Sequence, residues 1–365
     1  MVPTNIGIYL CAILAARDFG WIGVAESLER LENTLAAMQK LSRYRGHFLN
    51  WYDTESLSPL DPPYVSTVDS GNLAAALWVT RQAALAFARD HADHATDLNL
   101  LADRCRLLVR DMDFAFLFHP RRKVLSVGYD ARTGQLERSG YDILASEART
   151  ACFIAIAKGD IPQQSWFHLD RRQIPYGGDR LLASWTGTMF EYLMPSLWMR
   201  HSPDTIMQRS MEAVVRVHRD YARRKGIPWG ISECAHLGEG DDYAYTALGV
   251  PNIAMKPDMP ETLAIAPYAT FLALPFDPGA ALANLRTMSD FGWIGRYGFY
   301  EAIDYSHAGS AIIRSWMAHH EGMSLMAVVN LLYDNVFQTY FHADPHVKAT
   351  ELLLHERVPA TALLD

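Results

Sequence analysis

Three short segments of the chain place a glutamate beside aromatic residues and glycine. They are Ser184–Tyr192, which contains Glu191, then Trp229–Glu233, and Arg296–Tyr305, which contains Glu301. Aromatic faces give a sugar ring a flat surface to stack on, and a carboxyl beside them can move a proton or attack an anomeric carbon. An apolar setting also raises the pKa of a carboxyl, which suits a general acid. The combination indicates a site that processes glycosides.

Composition indicates a protein with a core large enough to hold such a site. The chain has 365 residues, half of them hydrophobic, which excludes global disorder and allows one large domain or two average ones. The formal net charge is −8, and the lysines and arginines are scattered. Because no basic stripe is present to neutralise phosphates, the sequence argues against nucleic acid as the main partner.

The cysteines do not indicate a metal site or a disulfide framework, since Cys11, Cys105, Cys152 and Cys234 have no paired spacing. We interpret the first three as buried packing residues. Cys234 follows Glu233 and could line the same cleft, but a catalytic thiol is disfavoured. We therefore expect no metal and no cofactor.

The beginning of the chain does not read as a targeting segment. Met1–Asn5 lacks the basic residues of a secretory signal, and Ile6–Ala16 is too short and too interrupted to span a membrane. We expect a soluble, cytoplasmic protein without a membrane segment. The abrupt start also suggests that relatives contain this sequence inside a longer polypeptide.

Helical periodicity runs through most of the chain and is interrupted at glycine, proline and aspartate. The predicted helices are Thr4–Asp18, Val24–Leu41, Ser70–Arg89, Ala95–Asp111, Asp142–Ala157, Ser184–Trp198, Thr205–Lys225, Pro260–Ala273, Pro278–Ser289 and Ser310–Tyr340. Strand signals are local, with Phe116–Phe118 and Val124–Tyr129 predicting a hairpin. Because strands and helices do not alternate, a Rossmann fold and a TIM barrel are disfavoured.

The string Asp-Phe-Gly-Trp-Ile-Gly occurs at Asp18–Gly23 and again at Asp290–Gly295, each time after a predicted helix. Glycine at these points fits a helix C-terminus. Two interpretations stay open: coincidence in similar helix–loop contexts, or a repeat of helical hairpins that closes into a ring, as in (α/α) barrels.

A ring of helical hairpins would bring its loops together at one end. The loops with Trp51–Asp53, Asp69–Asn72, Glu233 and Glu301 would then line one cleft. No Gly/Ser-rich linker or low-complexity stretch divides the chain, so we expect a single domain over residues 1–365.

Specific strings along nearly the whole chain resemble the glycoamylase-like domain of cyclic β-1,2-glucan synthases. They are Pro3–Gly7, Gly46–Asp53, Val68–Leu73, Trp185–Tyr192, Trp229–Glu233, Gly249–Pro251, Ala266–Ala269 and Arg296–Tyr305. The resemblance runs from Pro3 to about Pro359 with the motifs in the same order, and it identifies the family more firmly than the activity.

The resemblance implies an (α/α)6 toroid, similar in fold to bacterial endo-β-1,2-glucanases. With the hairpin predicted above, the expected fold class is mainly α, an (α/α)6 toroid with a small β-hairpin insertion. It also implies a glucanotransferase that cuts and rejoins, or cyclises, β-1,2-glucan. Relatives carry the domain fused to glycosyltransferase and phosphorylase domains. Neither is present in this sequence, so polymerisation from a nucleotide sugar is not implied.

Two glutamates are the candidate catalytic pair. The resemblance makes Glu233 the general acid/base, the alternative being an N-cap or a salt-bridge partner. We hypothesise Glu301 as the nucleophile. If its segment is helical, Glu301 and Asp304 share a face and each raises the pKa of the other. The alternative is that Glu301 caps a helix that begins near Ala302.

A larger set of residues is predicted to bind the glucan. It comprises Trp51, Tyr52, Asp53, Asp69, Trp185, Glu191, Trp229, Tyr297, Phe299, Tyr300, Asp304, His319, His320 and Glu321. Any one of the aromatic residues alone is more often a core residue. Asp69 reads most simply as a helix N-cap, and Glu191 is as well explained by structure as by binding.

His319 and His320 do not predict a metal site. Adjacent residues of a helix point about 100° apart, so they do not chelate as His-x-x-x-His does. A contact to a sugar hydroxyl or a buried hydrogen bond is the better interpretation. In the family that the chain resembles, glutamine commonly fills the position of Glu321, so this chain carries an additional carboxyl there.

The separation of two carboxyls sets the stereochemical outcome of glycosidase chemistry: about 5–5.5 Å gives retention and about 6.5–9.5 Å gives inversion. A transferase must keep its intermediate from water, so we expect retention with Glu233 as acid/base. The alternatives are endo-hydrolysis of linear β-1,2-glucan and a catalytically silent glucan-binding module.

Overall fold

The computed structural model describes residues 1–144, 148–238, 242–306 and 309–357. By its internal contacts the chain forms two compact units. Unit 1 comprises Met1–Ile143, Ala148–Asp170 and Leu332–Glu351, and unit 2 holds the rest of the described chain, chiefly Arg171–Leu331. The single domain expected over residues 1–365 stays a prediction.

Helices make up most of the regular structure. The α-helices of the described residues are α1 (Pro3–Asp18), α2 (Val24–Lys40), α3 (Thr67–Asp90), α4 (Ala95–Asp111), α5 (Ala148–Lys158), α6 (Met189–Leu193), α7 (Ile206–Lys225), α8 (Pro267–Leu272), α9 (Pro278–Asp290), α10 (Ala318–Leu332), α11 (Val336–Ala343) and α12 (Pro345–Thr350). Short 3₁₀ helices lie at Ala92–His94, Phe114–Leu117, Gln163–His168, Met194–Leu197, Pro251–Ile253 and Glu351–His355.

The strands are short and form small antiparallel sheets. They are β1 (Arg43–Tyr44), β2 (His47–Phe48), β3 (Tyr64–Ser66), β4 (Phe118–His119), β5 (Val124–Leu125), β6 (Gly128–Asp130), β7 (Gln135–Leu136), β8 (Gln173–Tyr176), β9 (Asp179–Leu182), β10 (Cys234–Leu237), β11 (Tyr243–Thr246), β12 (Ala264–Ile265), β13 (Ile294–Gly295), β14 (Gly298–Phe299), β15 (Ala302–Asp304) and β16 (Ala311–Ile313). In unit 2, β12, β15 and β16 form one three-stranded sheet, and β10 pairs with β11.

Helix α3 is the centre of unit 1, because α1, α4, α5 and α11 all pack against it. Its run from Ser70 to Thr80 is small or apolar and buried on every side, as expected for a helix enclosed by other helices. Ser66 is its N-cap and accepts a hydrogen bond from the Asp69 backbone N–H. Asp69 is therefore in the first turn, so its interpretation as the N-cap is wrong.

Helix α7 is the long amphipathic helix of unit 2, and it packs against β9. Thr205 caps its beginning by accepting from the Gln208 backbone N–H, and Gly226 ends it in the left-handed conformation. Both are residues that sequence rules place at these positions, and the prediction of Thr205–Lys225 is confirmed.

Three other predicted helices are shorter in the structure. The range Ser310–Tyr340 divides into strand β16, helix α10 and helix α11, because the β-branched residues at Ile312–Ile313 pair with β15 instead. Within Pro260–Ala273 only α8 is helical, and it begins at Pro267. Ser184–Trp198 contains only α6 and a 3₁₀ turn, since Pro195 interrupts the helix. Part of the predicted start of α5 lies outside the described residues.

The repeated string ends a helix in the same way at both places. At α1, the Trp21 N–H reaches back to the Ala16 carbonyl, and at α9 the Trp293 N–H reaches back to the Met288 carbonyl. Gly20 and Gly292 supply the positive φ, at 72° and 78°, that this helix ending requires. The prediction that these glycines lie at helix C-termini is confirmed.

The predicted hairpin is present, with Phe118 paired to Leu125, although Phe116–Leu117 belongs to a 3₁₀ helix. Among the helices of the described residues, none combines the length and the apolar character needed to cross a membrane. Within the same residues, no cluster of histidine, cysteine or acidic side chains has the arrangement of a metal site.

A close backbone contact holds the segment that precedes α6. A Cβ on Gly249 would lie 2.0 Å from the Thr186 carbonyl oxygen. We expect Gly249→Ala to destabilise unit 2 by about 1–3 kcal/mol or more, as overpacking does, and to lower the midpoint of thermal unfolding by several degrees. Gly279→Ala is the matched control, because this helical position is open and alanine favours the helix. Equal melting curves for both variants would contradict the prediction.

Candidate active site

The loop that carries Glu233 is held rigidly by its backbone. The Trp229 N–H donates to the Asn284 side-chain oxygen at 3.2 Å, and the Trp229 carbonyl accepts from the Asn284 amide at 2.8 Å and from the Thr270 hydroxyl at 3.1 Å. The Trp229 ring itself is only 7% exposed. The hydrogen bonds of the Trp229 backbone support the loop, and little of the Trp229 ring is accessible to a sugar.

A ladder of hydrogen bonds fixes the next residues. The Phe190 N–H donates to the Ser232 hydroxyl, which lies 2.8 Å from the Tyr268 hydroxyl, and Tyr268 donates to the Glu233 carbonyl oxygen at 3.0 Å. Burial raises the pKa of Tyr268 well above its usual value, so its proton stays in place. Helices α6 and α8 thereby set the position of the Glu233 backbone.

The Glu233 carboxyl faces Tyr245 of β11. Glu233 is half-buried, and its Oε1 accepts a hydrogen bond from the Tyr245 hydroxyl at 3.1 Å. The antiparallel pairing of β10 with β11, in which Ala235 faces Tyr245, brings the two residues together. Sequence reasoning missed Tyr245. The alternation of Tyr243 and Tyr245 predicts a strand face, but not what that face contacts.

Glu301 lies just before β15 and is 3% exposed. Its Oε1 accepts from the Ala235 N–H at 3.1 Å, and the Asp304 carboxyl accepts from the Leu237 N–H at 3.0 Å. Ala235 and Leu237 are two residues apart on β10, so their N–H groups point to the same edge of the strand. This is the edge that does not pair with β11. The segment is extended, so the idea that Glu301 and Asp304 share a helical face, or that Glu301 caps a helix, is wrong.

His320 connects to Glu301 from helix α10. Its Nδ1 lies 2.9 Å from Glu301 Oε2, and its Nε2 lies 3.4 Å from the Tyr245 hydroxyl. The Tyr268 ring stacks on the imidazole with centroids 3.8 Å apart and an angle of 13°. Burial lowers the pKa of His320 to about 3, so the ring is neutral near pH 7. The buried hydrogen bond offered as one interpretation of this histidine is present.

Burial also shifts the carboxyls and the second histidine. It raises the pKa of Glu301 to about 7, an effect that the Ala235 hydrogen bond and His319 partly offset. Burial, together with repulsion from Glu301, raises the pKa of Glu321 to about 7. The pKa of His319 is lowered to about 3 by burial. The site therefore holds carboxyls that exchange protons near neutral pH.

The raised pKa of Glu301 predicts a pH-dependent stability. Between pH 4.5 and 7 the unfolded chain loses the Glu301 proton while the folded chain keeps it, so this group's contribution to stability falls as pH rises. Glu301→Gln should remove a cost of about 3 kcal/mol that is complete above pH 7. Chemical unfolding at pH 4.5 and pH 8 measures the difference. The exposed Glu261→Gln serves as control, and a variant effect that does not change with pH would contradict the prediction.

A cluster of aromatic side chains, Tyr297, Tyr300 and Trp316, lies along the segment that leads to Glu301. Tyr297 and Tyr300 both contact Trp316, with centroids 5.3 and 5.1 Å apart, and Arg314 donates to the Tyr300 hydroxyl at 3.0 Å. The Tyr297 ring is 63% exposed and offers a face to a ligand. Phe299 instead packs edge-on against Phe271. Trp316 was not predicted, although its place shortly before His319 is a usable signal.

Trp185 and Glu191 lie on the segment beside Gly249. The Trp185 side chain is 48% exposed, while Glu191 is buried and its Oε2 accepts from both the backbone N–H and the hydroxyl of Thr186. Thr188 caps α6 by accepting from the Glu191 N–H. Glu191 thus holds its own loop together. This contact supports the structural interpretation of Glu191, which the sequence did not separate from substrate binding.

The remaining predicted residues belong to unit 1. Tyr52 is 1% exposed, and its hydroxyl donates to the Ser42 carbonyl and accepts from the Leu49 N–H, so it packs the core. Asp53 accepts from Ser56 in a tight turn. Asp69 accepts from the Thr4 hydroxyl at 2.6 Å.

Trp51, also in unit 1, lies against the Tyr64 ring and is partly exposed. In unit 2, Cys234 is fully buried, and burial together with the neighbouring carboxylates raises its pKa, so the thiol is neither exposed nor ionised. The buried packing expected for Cys11, Cys105 and Cys152 is confirmed.

Residues 140–345 match the family model Glycoamylase, described as "Putative glucoamylase". Over 98% of its length the chain is 34% identical to the cyclic β-(1,2)-glucan synthase NdvB of Rhizobium meliloti (strain 1021). The chain spans only 17% of the length of that relative.

Solved structures share the fold at lower identity. An endo-β-1,2-glucanase from Chitinophaga pinensis, in complex with sophorotriose and glucose, matches with a TM-score of 0.79 and 17% identity, covering 98% of this chain and 88% of that one. An endo-β-1,2-glucanase from Talaromyces funiculosus in complex with β-1,2-glucan matches with a TM-score of 0.73 and 16% identity, covering 100% and 86%. The predicted fold class, the mainly helical (α/α)6 toroid with small sheets, is confirmed.

Proposed function

The chain belongs to the Glycoamylase family and is a glycoside hydrolase-like enzyme, and from that premise we propose that it cleaves β-1,2-glucan and transfers the cut chain to another sugar hydroxyl. The substrate class rests on the relationship to a cyclic β-1,2-glucan synthase and on the shared fold with endo-β-1,2-glucanases. The predicted cytoplasmic location and the predicted fusion to glycosyltransferase and phosphorylase domains stay predictions.

The observation that carries the proposal is the setting of Glu233. Its carboxyl is half-buried, its backbone is held by Tyr268, and its Oε1 accepts from Tyr245. A general acid/base must be fixed in position and still reach the substrate. In the proposed reaction, the bond from the anomeric carbon to the leaving glycosidic oxygen breaks as Glu233 gives that oxygen its proton. A bond from the same carbon to the acceptor oxygen then forms as Glu233 takes the acceptor hydroxyl's proton.

The role of Glu301 as nucleophile, and with it retention, stays a prediction. Attack on an anomeric carbon needs a carboxylate oxygen that faces the sugar, whereas the Glu301 side chain is 1% exposed and both its oxygens have hydrogen-bond partners. These contacts support a carboxyl that acts through His320. We therefore propose Glu301 as a residue that controls the proton of Glu233.

Exposed aromatic faces in unit 2 are the proposed sugar platforms. The Trp185 and Tyr297 side chains have 48% and 63% of their surface exposed. Stacking on such faces suits the apolar face of a glucose ring. Phe299, Tyr300 and Trp229 pack against protein instead, and we propose that they support the platforms.

Transfer is favoured over hydrolysis by the higher identity with the synthase, 34% against 16–17% for the two glucanases. Hydrolysis is the second candidate, and it differs only in that water replaces the sugar hydroxyl as acceptor. A silent binding module is disfavoured because the contacts that hold Glu233 are those that an acid/base needs.

The test is the product pattern from linear β-1,2-glucan, read by mass spectrometry over time. Transfer gives chains longer than the substrate, or rings lighter by one water than the linear chain of equal length. Hydrolysis gives only shorter chains with new reducing ends. Saturable binding without any new product would overturn the proposal, and the anomer released early, read by NMR, tests retention.

A further inference from the structure

Three hydrogen-bond contacts join the two catalytic candidates in one continuous line. Glu301 Oε2 lies 2.9 Å from His320 Nδ1, His320 Nε2 lies 3.4 Å from the Tyr245 hydroxyl, and that hydroxyl lies 3.1 Å from Glu233 Oε1. The residues come from four different segments of unit 2, so nothing in the chain order predicts their meeting. The line runs from a buried carboxyl to a half-buried one.

The two groups in the middle of the line each carry a single exchangeable proton. Burial lowers the pKa of His320 to about 3, so its ring is neutral and has one N–H. Burial and the carboxylates of Glu233 and Glu301 raise the pKa of Tyr245, so its O–H is retained. A neutral imidazole donates through one nitrogen and accepts through the other. The line therefore has a direction.

Only two arrangements satisfy all three contacts with one proton shared by the end carboxyls. In the first, protonated Glu301 donates to His320, His320 donates to Tyr245, and Tyr245 donates to ionised Glu233. In the second, every donor is reversed, so that Glu233 is protonated and Glu301 is ionised. Neither arrangement places a charge on His320 or Tyr245, which suits the buried ring of His320.

We propose that Glu301, His320 and Tyr245 form a proton relay in which Glu301 stores the proton that Glu233 needs to act as the acid. This inference deepens the proposed function and rests on Glu233 being the acid/base. Tyr245 and His320 are positioning residues in this scheme, because they act on the sugar through Glu233.

Protonation of Glu233 through the line requires three coupled proton transfers. The Glu301 O–H breaks as a His320 Nδ1–H forms, the His320 Nε2–H breaks as an O–H forms on Tyr245, and the original Tyr245 O–H breaks as an O–H forms on Glu233 Oε1. Three bonds break and three form, and one negative charge moves from Glu233 to Glu301. The step needs no reactant beyond the proton already in the line.

The surroundings keep the relay rigid. The Tyr268 ring stacks on His320 at 3.8 Å and its hydroxyl donates to the Glu233 backbone, so one residue supports the middle of the line and its Glu233 end. The Ala235 N–H fixes the other oxygen of Glu301. Such second contacts are what orient a reacting pair.

Other titratable groups face the line from each element packed on it. They are Cys234 of β10, Tyr268 of α8, Asp304 of β15, and His319 and Glu321 of α10. Cys234 and Tyr268 have raised pKa values and His319 a lowered one, so these three stay neutral near pH 7. Because the pKa of Glu321 is also about 7, it must be separated from the relay by its own variant, Glu321→Gln.

The test is Tyr245→Phe, assayed on linear β-1,2-glucan across pH. We expect kcat to fall about tenfold to a hundredfold with KM little changed. The basic limb of the kcat/KM profile should move to lower pH, because Glu233 loses access to the stored proton. His320→Gln should move the limb in the same direction, and Glu321→Gln should move it less than Tyr245→Phe does, since Glu321 is outside the line.

Tyr243→Phe is the matched control, since Tyr243 lies on the same face of β11 and is 49% exposed. It should retain the wild-type kcat and pH profile. A second measurement uses the unaltered protein: rates in mixtures of light and heavy water should depend on deuterium content along a curve, as several protons move together.

Several results would overturn the relay. They are a wild-type pH profile in Tyr245→Phe, a rise in KM alone, which would make Tyr245 a substrate contact, or a linear dependence on deuterium content. The proposed function fails separately, if Glu233→Gln retains activity. Loss of activity in Glu233→Gln with an unchanged Tyr245→Phe would overturn the relay and leave the proposed function standing.

Discussion

Replacing Glu233 with glutamine is expected to lower the rate of β-1,2-glucan cleavage on the order of a thousandfold, because the amide does not act as an acid towards the leaving oxygen. Glutamine has nearly the same shape and still accepts from the Tyr245 hydroxyl through its carbonyl oxygen. The backbone contact with Tyr268 is also kept. We therefore expect substrate binding and thermal stability close to those of the unaltered protein.

Initial rates and a melting curve measured together check this result. Glu261→Gln is the control, since it makes the same substitution at an exposed position of unit 2. A Glu233→Gln protein that melts normally and cleaves glucan within tenfold of the wild-type rate would remove Glu233 as acid/base. The proposed function would then lose its main support.

Replacing Glu301 with glutamine is expected to lower kcat about a hundredfold or more, although the residue does not face the sugar. The change removes the proton that Glu301 stores and the carboxyl that orients the His320 ring. Removing the carboxylate that orients a catalytic histidine in serine proteases costs a comparable or larger factor. The variant should also gain stability above pH 7, because burying the Glu301 charge is costly.

A double variant separates the relay from a nucleophilic Glu301. If Glu301 acts through Tyr245, the double variant Glu301→Gln, Tyr245→Phe should be no slower than Glu301→Gln alone. The first substitution already prevents proton transfer along the line, so the second has nothing further to remove. Independent roles would multiply the two losses. A glycosyl group found on Glu301 by mass spectrometry of rapidly quenched enzyme would establish it as the nucleophile and overturn the relay.

Local sequence rules account for much of the fold. Helices α2, α4 and α7 follow their predicted ranges closely, because amphipathic periodicity acts within a few residues. In α7 the Thr205 cap and the left-handed Gly226 add to it. The prediction of Ser310–Tyr340 as one helix is wrong for the opposite reason. Strand β16 exists because β15 pairs with it, and periodicity within the segment contains no information about that partner.

The glutamate-aromatic pattern likewise indicated which residues could do chemistry, and Glu233, Glu301 and His320 do meet in unit 2. The pattern did not separate exposed aromatics from buried ones. Tyr297 offers its ring to solvent, whereas Tyr52 and Trp229 are packed. That distinction depends on which elements cover each ring.

By itself the sequence determined the helical fold class and the family, and it indicated Glu233 as the candidate acid/base, since these depend on residue types and local order. Tertiary structure alone decided how the carboxyls are connected. Two backbone N–H groups of β10 donate hydrogen bonds to the carboxyls of Glu301 and Asp304. Strand β11 places Tyr245 within hydrogen-bond distance of Glu233. Burial then raises the pKa of Glu301 and keeps His320 neutral. Hydrogen bonding between segments far apart in the chain, and the exclusion of water around them, arise only when the chain is folded.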